Sequence, residues 1–329
     1  MAYSPATNLT TSAGLPHVQT TIYRKTALDR LTKKFLFREA CMKDMIGKQE
    51  GRTVQWFRYF NLSANTTPSS EGTVGTGVSP SSRVVGATVS QYTAFLTISD
   101  FLVDTALDPL VENHADLLGY SGGLSVDTIT RNVIDAESSS TNQTLLSTYL
   151  RVADLRNARH SLQANDVAPM DDGQFFVILH PYVSYDLVND PAAGGFADIM
   201  KYNTDVKNTP LVKYEDRGFV TSIAGCRVVE STNVYTQTSP NRYRVYAFGK
   251  DGIGCVDLAG KGPTNVKDPK KQRFNVKVGR PTDSVADPEG VIGAYVSYNF
   301  VYTAVVLDGP SGIGGVYRYR TLDTPSSIS

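Results

Sequence analysis

Cysteine is scarce: Cys41, Cys226 and Cys255 are the only three in 329 residues, and no Cys-x-x-Cys spacing is present. So few thiols, so far apart, exclude a disulfide framework and a thiolate zinc site, and they read as ordinary reduced thiols. Histidine is equally thin. His17, His114, His160 and His180 are scattered, and none stands at ligand spacing from a thiol or carboxylate. No stretch nears the roughly 20 apolar residues that a membrane span needs. Residues 1–21 lack the basic start and apolar run of a signal peptide, so a soluble, non-secreted chain without membrane contact is expected. An excess of charge of either sign is also missing, with 32 basic and 32 acidic side chains. A dedicated nucleic-acid reader should carry a clear basic excess.

Catalytic patterns are absent too. There is no G-x-x-x-x-G-K-[ST] loop, no G-x-S-x-G elbow and no H-E-x-x-H helix. The glycine-rich runs 72–77 and 309–315 do not follow a strand and open a helix, so they read as turns and not as phosphate cradles. His180 before Pro181, with Asp186 nearby, is the one pair that an enzyme built from scattered residues could use, but such a histidine usually packs or caps locally. Asp171-Asp172-Gly173 and the set Asp283, Asp287, Glu289 lack the alternating oxygens of a calcium loop and fit turn chemistry. No catalytic, cofactor-binding or metal residue is assigned, no cofactor is implied, and the chain is not expected to be an enzyme.

What the sequence does have is segregated charge. Residues 24–52 carry nine basic side chains against four acidic, a net +5. Residues 100–137 carry eight acidic groups against Arg131, a net −7, and residues 261–280 carry seven basic groups against Asp268, a net +6. Blocks of opposite sign in a neutral chain suit contact with other copies of the same chain, and they also suit separately solvated faces. Eighteen tyrosines fit interface contact or a β-rich fold alike.

Residues 1–21, rich in Thr, Ser, Ala and Pro and free of charge, read as an extended arm. Leu28, Leu31, Phe35, Met42 and Met45 then recur at helical spacing up to Gly47, which predicts an amphipathic helix with a basic outer face. Strand patterns at 53–60 and 84–98 enclose about twenty residues of Asn, Ser, Thr, Pro and Gly. Loops in compact domains are usually about 4–6 residues, so a projecting two-stranded ribbon is predicted. Asp108-Pro109 opens a long helix towards Ala136, with Gly119, Gly122 and Gly123 either kinking it or held there by packing. A third helix over Val152, Leu155, Ala158 and Leu162 follows, then a buried strand at 174–179 and a short helix through Tyr185 and Leu187. Further strands are predicted at 219–231, 243–248, 252–258 and 293–307. The fold class is α+β.

This order resembles the major capsid proteins of tailed double-stranded DNA bacteriophages, with the Hong Kong ninety-seven-like fold, and more narrowly the N-four-like family. The likeness is carried by Gly51-Arg-Thr-Val-Gln-Trp-Phe-Arg58 entering the ribbon, Ser70-Glu71-Gly72 near its tip, and Gln91-Tyr92 with Ile98-Ser99-Asp100 on return. Asp108-Pro109, Val152-Ala-Asp-Leu155 with Leu162, His180-Pro181 with Asp186-Leu187, Gly225-Cys-Arg-Val-Val-Glu-Ser231 and Ala247-Phe-Gly-Lys-Asp251 continue it. It spans most of residues 20–305 and rests on the number and order of these segments.

The resemblance implies an N-terminal arm with its amphipathic helix at 1–50, an extended loop at 51–100 and a peripheral domain with a spine helix at 101–150. It implies a mainly axial domain at 151–290, and at 291–329 C-terminal strands returning to the peripheral domain. It implies self-assembly as hexamers and pentamers into an icosahedral virion shell, built in the host cytoplasm. Scaffolding, portal and cement or decoration proteins would be partners, and packaged DNA would be contacted non-specifically. The ribbon would lie across the adjacent subunit, with its apolar strands covered only on assembly. Some relatives weld neighbouring chains through a lysine on the extended loop. Here no lysine occurs between Lys48 and Lys201, so that crosslink is not expected. The alternatives are an encapsulin-like nanocompartment shell protein and a virion tail or decoration protein.

Overall fold

A computed structural model describes residues 36–47, 50–68, 71–72, 77–105, 110–138, 142–190, 192, 219–258, 274–279, 292–308 and 317–327. The chain enters through a 3-10 turn at Phe37–Ala40, then runs through β1 (Met42–Ile46), β2 (Thr53–Tyr59), β3 (Ser82–Thr88) and β4 (Ser90–Ser99). Helices α1 (Asp100–Thr105) and α2 (Leu110–Ala136) follow, then β5 (Gln143–Leu145), α3 (Val152–Ala164), β6 (Phe175–Leu179) and α4 (Pro181–Val188). The remaining strands are β7 (Phe219–Ile223), β8 (Cys226–Glu230), β9 (Thr236–Thr238), β10 (Asn241–Phe248), β11 (Ile253–Leu258), β12 (Phe274–Gly279), β13 (Ile292–Val306) and β14 (Tyr319–Thr324).

Two sheets form the body. In the first, β13 pairs with β4 along one side and with β12 and β11 along the other, and β1 adds to β11 in parallel. The period-two pattern of β13 sends Val296, Tyr298, Phe300, Tyr302, Ala304 and Val306 to one buried face. That face meets α2, where Thr130 Oγ1 lies 2.7 Å from the Tyr302 hydroxyl and Ser125 Oγ lies 3.4 Å from that of Tyr298. The predicted long helix therefore runs unbroken through Gly119, Gly122 and Gly123. All three are buried, so packing offsets a helix-propensity cost of about 1 kcal/mol each.

In the second sheet the order is β5-β14-β10-β6-β8-β7, with β9 beside β10. Phe175, Val177 and Leu179 point to one side, packing with Val152, Leu155, Ala158 and Leu162 of α3 and with Val183 and Leu187 of α4. Phe176 and Ile178 point to the other, into the cluster that also holds Phe37, Ile134 and the buried face of β13. Asp154 fixes the start of α3 by accepting from the Arg151 N–H at 3.0 Å, half of a capping box.

Several expectations change. The helix predicted up to Gly47 does not hold over its last part: Met42–Ile46 is a strand, because pairing beside β11 outweighs the helical spacing of Met42 and Met45. Its earlier residues, the arm and Asp108-Pro109 lie outside the described residues. The run at 84–98 divides at Val89, so the ribbon partner is β3 while β4 belongs to the body. The run at 219–231 is a hairpin, turned by Ala224 and Gly225 at φ 54° and 77°. Of the C-terminal strands, β13 joins the first sheet and β14 the second.

Candidate functional site

Apolar area that a fold leaves uncovered is where a self-associating chain makes contact, and the ribbon carries large side chains of this kind. Strands β2 and β3 pair antiparallel, with Phe57 opposite Val84 and Trp56 opposite Val85. Alternation splits their side chains into two faces. Val54, Trp56 and Ala87 pack inward with Ile46, Val256, Leu258 and Val305 of the first sheet. Arg58 pairs with Asp308, which also accepts from Arg318 at 2.8 Å. Burial and the Arg318 charge push the Arg58 guanidinium down from its ordinary value. The base of the ribbon is thus docked on its own body, whereas its apolar strands were expected to be covered only on assembly. Only the outer face is bare: Phe57 is 65% exposed, Tyr59 72%, and Val84 is exposed beside them.

Further exposed apolar side chains lie on β4 and on the helices. Phe95 and Leu96 are exposed on β4, and Phe101 (80%) and Leu102 on α1. On α2, Leu117, Tyr120 and Leu124 form an exposed stripe at helical spacing, opposite the buried Ala115, Leu118 and Val126. Leu117 and Leu124 are apolar, yet the structure turns both outward. The signal for this second face was available, since α2 holds more large apolar residues than one packed stripe requires.

Part of the first two charge blocks is used within the chain. Asp127 accepts from the N–H groups of Leu36 (3.1 Å) and Phe37 (2.8 Å) and from Asn233 Nδ2 (2.9 Å), tying the incoming chain, α2 and the β8–β9 connection together. Burial raises its carboxyl from 3.8 to about 6, against the lowering effect of these donors. Asp135 accepts from Arg244 at 2.9 Å and from the Tyr246 hydroxyl at 2.8 Å, while Arg244 holds Asp323 with two bonds of 2.7 and 3.0 Å. Arg38 of the basic block pairs with Asp257. The acidic segment is therefore a weaker surface patch than its net charge suggests, because Asp127 and Asp135 face inward. Of the basic stretch 261–280, only Lys277 lies among the described residues that carry charge.

The residues weighed for chemistry are not brought together. His180 caps α4, its Nδ1 accepting from the Tyr182 N–H at 3.2 Å, and its ring stacks on Tyr243 at 4.6 Å. Burial lowers its affinity for a proton. Asp186 is buried, with its oxygens taken by the N–H and hydroxyl of Ser327. Asp171 pairs with Lys250 at 2.5 Å, and Asp172 accepts from the Gln174 N–H at 3.0 Å as a turn. His160 is exposed on α3 and His114 lies on α2, whereas His17, Asp283, Asp287 and Glu289 fall outside the described residues. Among the described residues, no group of three or more His, Cys, Asp or Glu side chains is placed to hold a metal ion. Nor is any helix among them long and apolar enough to cross a membrane.

A long helix across a five-stranded sheet, a second helix-backed sheet and a docked ribbon define an α+β fold found in phage shells. The capsid of Ralstonia phage GP4 superposes with a TM-score of 0.64 at 11% identity, covering 90% of this chain and 92% of that one. The capsid of cyanophage P-SCSP1u gives 0.62 at 14% identity over 89% of each chain. The capsid of cyanophage Pam1 gives 0.58 at 14% identity, covering 87% and 89%. The fold is thus the phage capsid fold expected from the sequence. No family model matches the sequence. No curated protein matches it either.

Proposed function

We propose that this chain is the major capsid protein of a tailed double-stranded DNA phage, a structural protein whose activity is self-assembly into the virion shell. The observation that carries the reading is the bare outer face of the ribbon, Phe57, Tyr59 and Val84, on a chain with a phage capsid fold. In this reading 1–50 is the N-terminal arm, 51–100 the extended loop and 101–150 the peripheral domain with α2 as spine. Most of 151–290 is the axial domain, and the C-terminal strands at 291–329 return to the peripheral domain. The ribbon's outer face lies on an adjacent copy, and the apolar stripe Leu117, Tyr120, Leu124 is a surface of matching chemistry. Subunits form hexamers and pentamers of an icosahedral shell, joined without covalent welds because the ribbon carries no lysine. Scaffolding, portal and cement proteins, and DNA held without sequence preference, are its partners.

Electron microscopy of the purified protein and of particles tests this. Closed lattices of hexamers and pentamers that contain DNA are expected, dissociating in boiling detergent to a single band at the chain's 35.8 kDa. Protein-filled shells without DNA point instead to a nanocompartment, and soluble monomers under all conditions overturn the shell reading.

A further inference from the structure

We propose that His180 is an acid-sensitive cap, whose protonation breaks the hydrogen bond that starts α4 and loosens the first turn of that helix. The first N–H groups of a helix have no partner within it. At α4, Pro181 supplies no N–H, and the next one, that of Tyr182, is taken by His180 Nδ1 at 3.2 Å. A ring nitrogen that accepts must hold a lone pair, so the cap exists only in the neutral imidazole. Asp, Asn, Ser and Thr are the usual residues in this place, and their oxygens go on accepting in mild acid. A histidine there ties the helix start to a proton. An imidazolium would in addition lie at the positive end of the helix dipole.

The ring is held where the cap needs it. It stacks on Tyr243 of β10 with centroids 4.6 Å apart and 22° between the planes, and it meets Tyr182 edge-on at 4.8 Å. The charged groups of the neighbouring elements are engaged elsewhere or stand on other strands. On β10, Arg242 and Arg244 alternate away from Tyr243; Arg242 donates to the Leu146 carbonyl and Arg244 pairs with Asp135 and Asp323. On α4 itself, Asp186 is occupied by Ser327, and on β8, Glu230 stands beside Leu179 in the strand register. Burial is what lowers the ring's proton affinity from the ordinary 6.5. The cap is therefore complete above that value and is lost as pH falls below it. Loosening also reaches the segment after β14, because the Tyr182 carbonyl accepts from the Ser326 hydroxyl at 3.5 Å. This device does not depend on the shell role.

The test is amide hydrogen exchange of the full-length protein at about pH 7.5 and about pH 5.5, corrected for the intrinsic pH dependence of exchange and resolved to single residues by mass spectrometry. Protection of the Tyr182 amide should fall about fivefold in acid, the loss of a typical cap, while the amides of α3 keep theirs. In His180→Asn, whose amide oxygen accepts at either pH, protection of Tyr182 should be equal at both. Unchanged protection of Tyr182 in the natural chain overturns the proposal. So does a loss shared by α3, which marks general opening, or an equal acid loss in His180→Asn, which assigns the effect to another group such as Asp127. The comparison within the natural chain stands even where the variant folds poorly.

Discussion

Trp56 is the sole tryptophan of the chain and the wedge that docks the ribbon. It fits because residue 254 has no side chain. A Cβ there would meet the Trp56 ring at 3.0 Å and Leu307 at 3.1 Å. Gly254→Val should therefore lift the indole into water, shift its fluorescence to the red, and cost about 1–3 kcal/mol as an overpacking change. An unchanged emission spectrum would show that Trp56 does not rest there. Asp127 acts through its proton. Its folded value of about 6 lies above the ordinary 3.8, so the folded chain binds this proton more tightly than the unfolded chain. The resulting stabilisation is full below the ordinary value and lost as pH rises through about 6. Between those limits the natural chain should lose about 3 kcal/mol relative to Asp127→Asn. Denaturant titrations of both at pH 4 and pH 7 check this, and parallel pH profiles would exclude it.

At the scale of elements, the ribbon is a strand pair with a body-facing side and a bare side. Ser substitutions at Phe57 and Val84 remove apolar area from the bare side alone. They should leave subunit stability within about 0.5 kcal/mol, as for ordinary surface changes, while abolishing particles. Sedimentation for assembly and a denaturant midpoint for the subunit separate the two effects, and normal particles would remove the outer face from the interface. The ribbon was legible in the sequence because alternation in 53–60 and a long polar stretch after it admit few other arrangements. Its division was not. Val89 looks like any strand residue, and only pairing to β13 makes the next ten residues part of the body. The Met42–Ile46 strand was hidden for the same reason, since helical spacing is local and its partner β11 is about 210 residues away.

For the whole molecule, the charge blocks first suggest a shell held by ionic complementarity. With Asp127, Asp135 and Arg38 used internally, the bare apolar faces carry more of the association, and assembly should depend on salt only modestly. Light scattering of assembly between low and high salt checks this, and a steep decline would restore the ionic account. The buried cluster of Arg244, Asp135 and Asp323 joins α2 to β10 and β14. Arg244→Ala leaves buried Asp323 without its cation and Asp135 with only the longer Arg131 contact at 3.7 Å, and should cost about 3–5 kcal/mol, read as a lower denaturant midpoint.

The sequence by itself determined the α+β class, the long helix, the helix α3 with its four buried positions, the ribbon and the absence of any local catalytic motif. These follow from periodicity, turn residues and spacing, which act over a few residues. Tertiary structure alone decided which strands pair, which acids face inward and which leucines of α2 face out. Each of these depends on groups brought together from distant parts of the chain, where burial and long-range pairing overrule local preference.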